Sequence, residues 1–433
     1  MTPLEIGIIG IIAIIIMLIL RVPVGISLIF SASAGMVMLA APVPALELIS
    51  EQIIGVVRTQ VLVSIPMFVL MGVILSKTNM ASALFEFMSH LFGRGKGGLA
   101  LSVLGSATVF SAMSESFSNT FTNIKSASES DLRGSNYDTG LSIGINAVGS
   151  ALGVLIPPST VLIIFAYLAG LSVGHALLAG IAPGALTALL LLITSPIILR
   201  LRPKLVPDVS KTKTPFPINA LKVIWVIPII FIVVFLFMYF GWLTLTESSA
   251  VGALLTLLFA VASRQMSFTI LFECLFETAK ITGKLFLLII GGTVFNLFLT
   301  RSLVIATLTS FFTSLNIAPI IIIALFMLIY ILLSLVLDKL ATLVILTPFF
   351  LPIALALRFN GLWFGVMISF ALMIGYCLRP LLASGESVDN KVPTSKKLLS
   401  VNYPFLIIII IISVLVALFP YLATLLPSMM IGW

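Results

Sequence analysis

Four polar stretches interrupt the long apolar runs of this chain, and they hold residue types that bind ions and anions. The first is Ser111–Thr120, with Ser114, Glu115 and Ser116 at its centre. The second holds Gly149, Ser150 and Gly153, followed by Pro157, Pro158 and Ser159. The third holds Asp338, Lys339 and Thr342. The fourth holds Gly375, Arg379 and Pro380, followed by Ser384, Gly385 and Glu386. A helix unwound at such a place frees carbonyl oxygens that ligate Na⁺, and a half-helix N-terminus offers N–H groups and a positive dipole end to an anion. Proline forces the break by removing a donor and clashing with the preceding turn. Small residues also allow close helix packing, and a proline pair also marks a kink. Four breaks at matching places favour the binding reading.

Covalent chemistry finds no support. His90 and His175 lie far apart, one in an apolar flank and one in a loop, with no nucleophile or metal spacing around them. Gly93–Gly98 is glycine-rich but lacks the G-x-x-x-x-G-K-[ST] order that cradles phosphates, and reads as a basic cytoplasmic loop. Cys274 and Cys377 are isolated in apolar segments and read as packing residues. The chain is not expected to be an enzyme and has no organic cofactor motif.

Of 433 residues, 23 are Lys or Arg and 15 are Asp or Glu, so 9% are charged while 60% are hydrophobic. Soluble domains carry about 25% charged residues. Apolar runs reach the roughly 20 residues that cross a bilayer as helix. Ile8–Leu20, Ile227–Phe240 and Leu406–Leu418 are continuously apolar, which disfavours the alternation of a barrel strand. The class is therefore an all-α polytopic membrane protein in a lipid bilayer. The net charge of +8 fits retention of basic loops on the cytoplasmic side, not nucleic-acid binding. Met1–Leu20 reads as a first span stopped by Arg21 and Pro23, because Glu5 stands where a signal peptide is basic.

Two membrane halves are expected, residues 1–199 and 223–433, joined by a basic, proline-broken cytoplasmic linker at 200–222. The halves look related. Ser116 to Pro158 and Asp338 to Pro380 are both 42 positions (158 − 116 and 380 − 338). An offset of 222 (380 − 158) also pairs equivalent loops, and these carry opposite charge bias. Arg94 and Lys96 are basic where residues 314–319 are uncharged; Lys391, Lys396 and Lys397 are basic where residues 170–175 lack Lys and Arg. By the positive-inside rule equivalent loops then lie on opposite sides, the mark of an inverted repeat. The first half is expected to hold a re-entrant hairpin near 98–126 and a broken helix near 138–170. The second is expected to hold a hairpin near 320–357 and a broken helix near 361–391. Residues 266–284, with Glu273, Glu277, Lys280 and Lys284 at helical spacing, read as an amphipathic interfacial arm.

From about Arg21 to about Pro420 the chain resembles the large membrane subunit of tripartite ATP-independent periplasmic (TRAP) transporters. The strongest piece is Gly153-Val-Leu-Ile-Pro-Pro-Ser159, continuing to Gly170 and to Ala179-Gly-Ile-Ala-Pro-Gly184. Others are Ile65–Gly72, Gly97–Ala100, Thr244–Ala250, and Leu337-Asp338 with Ile345–Pro352. The resemblance implies an elevator-type secondary transporter of the bacterial inner membrane, coupled to an ion gradient. Its partners would be a small membrane subunit and a periplasmic substrate-binding protein, and its substrate a small organic acid. It also implies ion- and substrate-site candidates at Ser114, Ser116, Gly149, Ser150, Asp338, Thr342 and Gly375, with Na⁺ at Ser114, Ser116, Gly149 and Ser150. The alternatives are a stand-alone ion-coupled anion transporter and a non-transporting regulatory subunit.

Two positions depart from the family pattern. Glu115 stands where the first hairpin tip usually has Gly, and Leu378-Arg379-Pro380 replaces T-P-P at the second break. A charge at mid-bilayer costs about 2.5–3.5 kcal/mol on insertion scales unless paired or wet. The expectation is that Glu115 and Arg379 face each other across the two breaks, with the Arg in the electrostatic role of a sodium ion. Lys339 is a rival partner for Glu115, and Asp338 for Arg379.

Overall fold

The computed structural model describes residues 1–93, 95–206, 218–383 and 395–429. Among them every regular element is a helix. The first half runs α1 (Pro3–Ile19), α2 (Val24–Leu39), α3 (Pro42–Arg58), α4 (Ser64–Ser76), α5 (Met80–Phe92), α6 (Gly98–Ser114), α7 (Phe117–Gly134), α8 (Thr139–Ala151), α9 (Thr160–Ala169) and α10 (Val173–Leu201). The second runs α11 (Ile218–Ile224), α12 (Val226–Phe231), α13 (Phe237–Tyr239), α14 (Leu245–Ala262), α15 (Phe268–Arg301), α16 (Val304–Ser314), α17 (Pro319–Val336), α18 (Lys339–Ala356), α19 (Gly361–Ala383), α20 (Ser395–Leu418) and α21 (Tyr421–Ser428).

Local sequence explains the boundaries. Thr2 and Glu5 close a capping box ahead of α1, and Thr244 and Glu247 do the same for α14. Pro3, Pro42 and Pro319 sit in the first turn, where their missing N–H costs nothing. Seven of the described helices are long and apolar enough to cross a membrane, or eight if the pair α3–α4, bent by 53°, counts as one. On α17 the exposed side chains Ile321, Leu325, Leu328, Leu332 and Val336 form one stripe three to four residues apart. Such a stripe belongs against lipid rather than water. α18 and α19 are instead mostly buried and form the centre of the molecule.

Helix starts recur at the offset read from the sequence. α7 starts at Phe117 and α18 at Lys339, and 339 − 117 = 222. The same offset carries α2 onto α14, α5 onto α16, α6 onto α17, α8 onto the start of α19, and α10 onto α20, within one or two residues at their starts. Packing obeys the exchange as well. α2 packs on α15 while α14 packs on α4, which the offset places inside α15. α6 packs on α8 as α17 packs on α19, and α8 packs on α20 as α19 packs on α10. Equivalent helices thus recur at one offset and exchange packing partners between the halves.

The halves differ at the second break. After α8 the chain makes a single 3₁₀ turn at Leu152–Val154, passes a cis Pro157–Pro158 bond, and restarts at Ser159 as α9. In the second half α19 continues as helix through Gly375, Arg379 and Pro380 to Ala383. The unwinding expected there is absent from the described residues; 384–394 lie outside them. Proline chemistry accounts for the difference. Two successive prolines remove two donors and push both preceding residues away from helical angles, whereas Pro380 stands alone. Residues 268–284 form the first half of α15, which continues without a break to Arg301.

Candidate functional site

The links between paired helices place the chemistry. α6 ends at Ser114, and Glu115 takes a left-handed conformation, φ 52°. Ser116 then caps α7, its Oγ accepting the Asn119 N–H at 3.3 Å. At the equivalent link Asp338 caps α18, its Oδ2 accepting the Leu340 N–H at 3.1 Å. Ser159 caps α9, accepting the Leu162 N–H at 3.4 Å and donating to the Val154 carbonyl at 2.6 Å.

These three helix starts border one cavity of about 220 Å³, with Ser114, Glu115, Ser116, Thr160, Asp338, Lys339 and Tyr376 around it. Val69 and Val73 of α4 and Ile281 and Leu285 of α15 close its apolar side. A larger groove of about 660 Å³ lies along α3, far in sequence from every polar break.

A hydrogen-bonded network ties the second link to α19 and to the first link. The Tyr376 hydroxyl donates to Asp338 Oδ1 at 2.6 Å and accepts the Lys339 backbone N–H at 3.1 Å. Lys339 is 8% exposed, and its Nζ donates to the Glu115 backbone carbonyl at 2.9 Å. The Tyr376 ring meets Phe117 edge-on, with centroids 5.3 Å apart. Ser114 Oγ and Thr120 Oγ1 are 2.6 Å apart. Glu115 is 6% exposed, and among the described residues neither of its carboxyl oxygens has a hydrogen-bond partner.

Three helix N-termini and the buried Lys339 amine meet at this small cavity beside the carboxyl groups of Glu115 and Asp338. Of the residues singled out from sequence, Ser114, Glu115, Ser116 and Asp338 border it. The others stand apart. The Gly149 carbonyl accepts from Ser111 Oγ at 3.0 Å, and Gly149 packs against Ala107 and Leu104 of α6. Ser150 donates to Asn146 Oδ1 at 3.3 Å. Pro157 shapes the break, and Pro158 borders a separate tiny cleft with Met71 and Met113. Thr342 is fully buried one turn into α18, with Oγ1 lacking a partner among the described residues. Gly375 packs against Ser334 of α17. Pro380 lies inside α19.

The expected Glu115–Arg379 pairing is not formed. The Arg379 guanidinium lies 5.8 Å from the centre of the Tyr376 ring, and its Nη2 reaches the Val336 carbonyl at 3.5 Å. No ion pair joins it to Glu115 among the described residues. The rival Lys339 reaches Glu115, through the backbone oxygen rather than the carboxylate. The physical reason is position. Arg379 lies three residues beyond Tyr376 on a continuous helix and turns back toward the end of α17, while Lys339 is the first residue of α18. Tyr376 and Thr160 also border the cavity without being singled out from sequence. Both sit within the polar or motif segments, and a tyrosine three residues before a charged helix end is the available signal.

Buried and lipid-facing helices packed around a small polar cavity are the build of a multi-pass membrane protein. The Alcanivorax borkumensis YdaH transporter has a similar structure, with a TM-score of 0.61 at 15% identity over 88% of this chain and 89% of that one. So does Neisseria gonorrhoeae MtrF, of a class of antimetabolite efflux pumps, with a TM-score of 0.60 at 13% identity over 87% and 83%. At these identities the likeness is one of fold alone. The chain belongs to the DctM component family of the tripartite ATP-independent periplasmic transporters, whose sequence profile matches residues 11–422. It is 28% identical to the sialic acid large permease SiaM of Vibrio cholerae over 95% of this chain and 96% of that protein. It is 27% identical to the C4-dicarboxylate large permease DctM of Pseudomonas aeruginosa over 85% and 86%, and 24% identical to the ectoine large permease TeaC of Halomonas elongata over 94% and 95%. These relatives are transport permeases, not enzymes.

Proposed function

We propose that the chain is the membrane permease that moves a small organic acid into the cell across the inner membrane. The observation that carries this reading is the convergence of the α7, α9 and α18 N-termini and Lys339 on one cavity. A carboxylate there would meet helix N-termini and an amine, beside the carboxyl groups of Glu115 and Asp338. The volume, about 220 Å³, is below the roughly 300–1,000 Å³ of pockets for drug-sized ligands. It suits a small acid. The sialic acid, C4-dicarboxylate and ectoine named for the relatives all carry a carboxylate.

The cavity lies between the link-bearing helices and α4 with α15. That placement supports an elevator cycle in which the links and α19 move against a scaffold of α4, α14 and α15. Opposite charge bias of equivalent loops supports an inverted repeat with re-entrant hairpins at the two links. With no nucleotide motif in the chain, an ion gradient drives the cycle, with Na⁺ as the coupling ion. The partners are a small membrane subunit and a periplasmic binding protein that delivers the acid.

The test is uptake into proteoliposomes holding this chain and its small partner, with the binding protein outside. The probes are radiolabelled succinate, N-acetylneuraminate and ectoine. Uptake of one probe that needs all three proteins and an inward ion gradient is expected. Equal uptake by the chain alone favours the stand-alone transporter, and no uptake of any probe removes the substrate class.

A further inference from the structure

We propose that the Lys339 ammonium is a built-in cation: it occupies the carbonyl end of α6 at the first link, where a free monovalent cation would otherwise bind. The inference rests on the transporter reading of the cavity and deepens it by assigning how charge is supplied there.

Three observations carry it. First, the acceptor is the right kind of group. The last carbonyls of a helix have no intrahelical donor and form the negative end of its dipole. Helix C-terminal ends of this type coordinate Na⁺ in secondary transporters. α6 ends at Ser114, and the Glu115 carbonyl lies immediately beyond it. Second, the donor comes from the other half of the chain. Lys339 Nζ crosses from the start of α18 to that carbonyl, a contact spanning 224 positions at 2.9 Å, and the side chain is buried. Third, the surroundings suit a fixed positive charge. Asp338 precedes Lys339, with its carboxylate held by the Tyr376 hydroxyl and the Leu340 N–H. Glu115 contributes a second carboxyl that lacks a hydrogen-bond partner among the described residues. The charge of one cation is thus supplied by the covalent chain, bridging the two links.

Two consequences follow. A free cation is excluded from the α6 end in this protein, because the ammonium already occupies it. Removing the ammonium while keeping the carbonyls should open a site for Na⁺.

The test measures thermal unfolding of the purified full chain in detergent, in NaCl and in choline chloride at equal ionic strength. It compares the unsubstituted protein with Lys339→Met and with Lys339→Gln, which keeps a donor without the charge. The expected result is a Na⁺-specific rise in the midpoint of Lys339→Met, about 3 °C beyond that of the unsubstituted protein. Lys339→Arg, which keeps a cation, is expected to respond as the unsubstituted protein does. The same Na⁺ response in Lys339→Met and in the unsubstituted protein would overturn the proposal. So would failure of both Lys339→Met and Lys339→Gln to fold in NaCl as in choline, since Na⁺ should stand in for the lost ammonium. The readout needs no transport, so the role of Lys339 is tested even if the chain carries none of the probes above.

Discussion

The Tyr376 hydroxyl donates to the Asp338 carboxylate at 2.6 Å and accepts the Lys339 backbone N–H at 3.1 Å. One side chain of α19 thereby fixes both the cap and the first turn of α18. Removing that oxygen leaves a buried N–H unpaired and takes one donor from Asp338. Tyr376→Phe should keep the edge contact with Phe117 and lose about 1–3 kcal/mol of stability. A thermal melt in detergent checks this, and an unchanged midpoint would mean that water replaces the hydroxyl.

Glu115 carries two costs at once. Its backbone lies in the left-handed region, which favours glycine, and its carboxyl lacks a hydrogen-bond partner among the described residues. Glu115→Gly removes both while keeping the carbonyl that Lys339 binds. The variant should be more stable by about 1–2 kcal/mol from the backbone alone. If uptake falls while stability rises, the strain at the link serves transport.

Gly375 marks a close approach of α19 to α17. A Cβ there would collide with Ser334 Oγ and stand 3.0 Å from Ser334 Cβ. Gly375→Ala should cost about 1–3 kcal/mol through overpacking. Adding Ser334→Gly should recover part of that loss, because the two sites share one contact. Additive losses in the double variant would show that the backbones had already moved apart.

Glu115 and Arg379 should behave independently. Arg379 lies against Tyr376 and the Val336 carbonyl, with no ion pair to Glu115 among the described residues. Stability changes for Glu115→Gln and Arg379→Gln should add to within about 0.5 kcal/mol. Mutual rescue in the double variant would place the two side chains in contact during some other step of the cycle.

Much of this architecture is legible in the chain. Helical membrane class follows from apolar runs and scarce charge, and the offset at which helix starts recur follows from proline and acid spacing, because those residues mark turns. Ser116 and Asp338 are readable as link residues because short hydroxyls and carboxylates cap helices. The partner of Glu115 is not readable. Lys339 and Arg379 are both near enough in the repeat, and only the direction each side chain leaves its helix separates them. Gly149 and Gly375 mislead for a related reason: a glycine that lets helices touch and a glycine that unwinds one look alike in sequence. Pro380 misleads because a single proline late in a helix bends or ends it according to what surrounds it.

The unequal breaks have a consequence for direction. In a duplicated machine whose halves were identical, facing one side of the membrane and facing the other would be states of equal energy. Here one half is severed at Pro157–Pro158 while its twin runs unbroken through Pro380, and the lysine that joins the links belongs to one half alone. Under the proposed elevator cycle those differences lift the degeneracy and give the protein a preferred resting side, set by its own covalent structure before any gradient is applied.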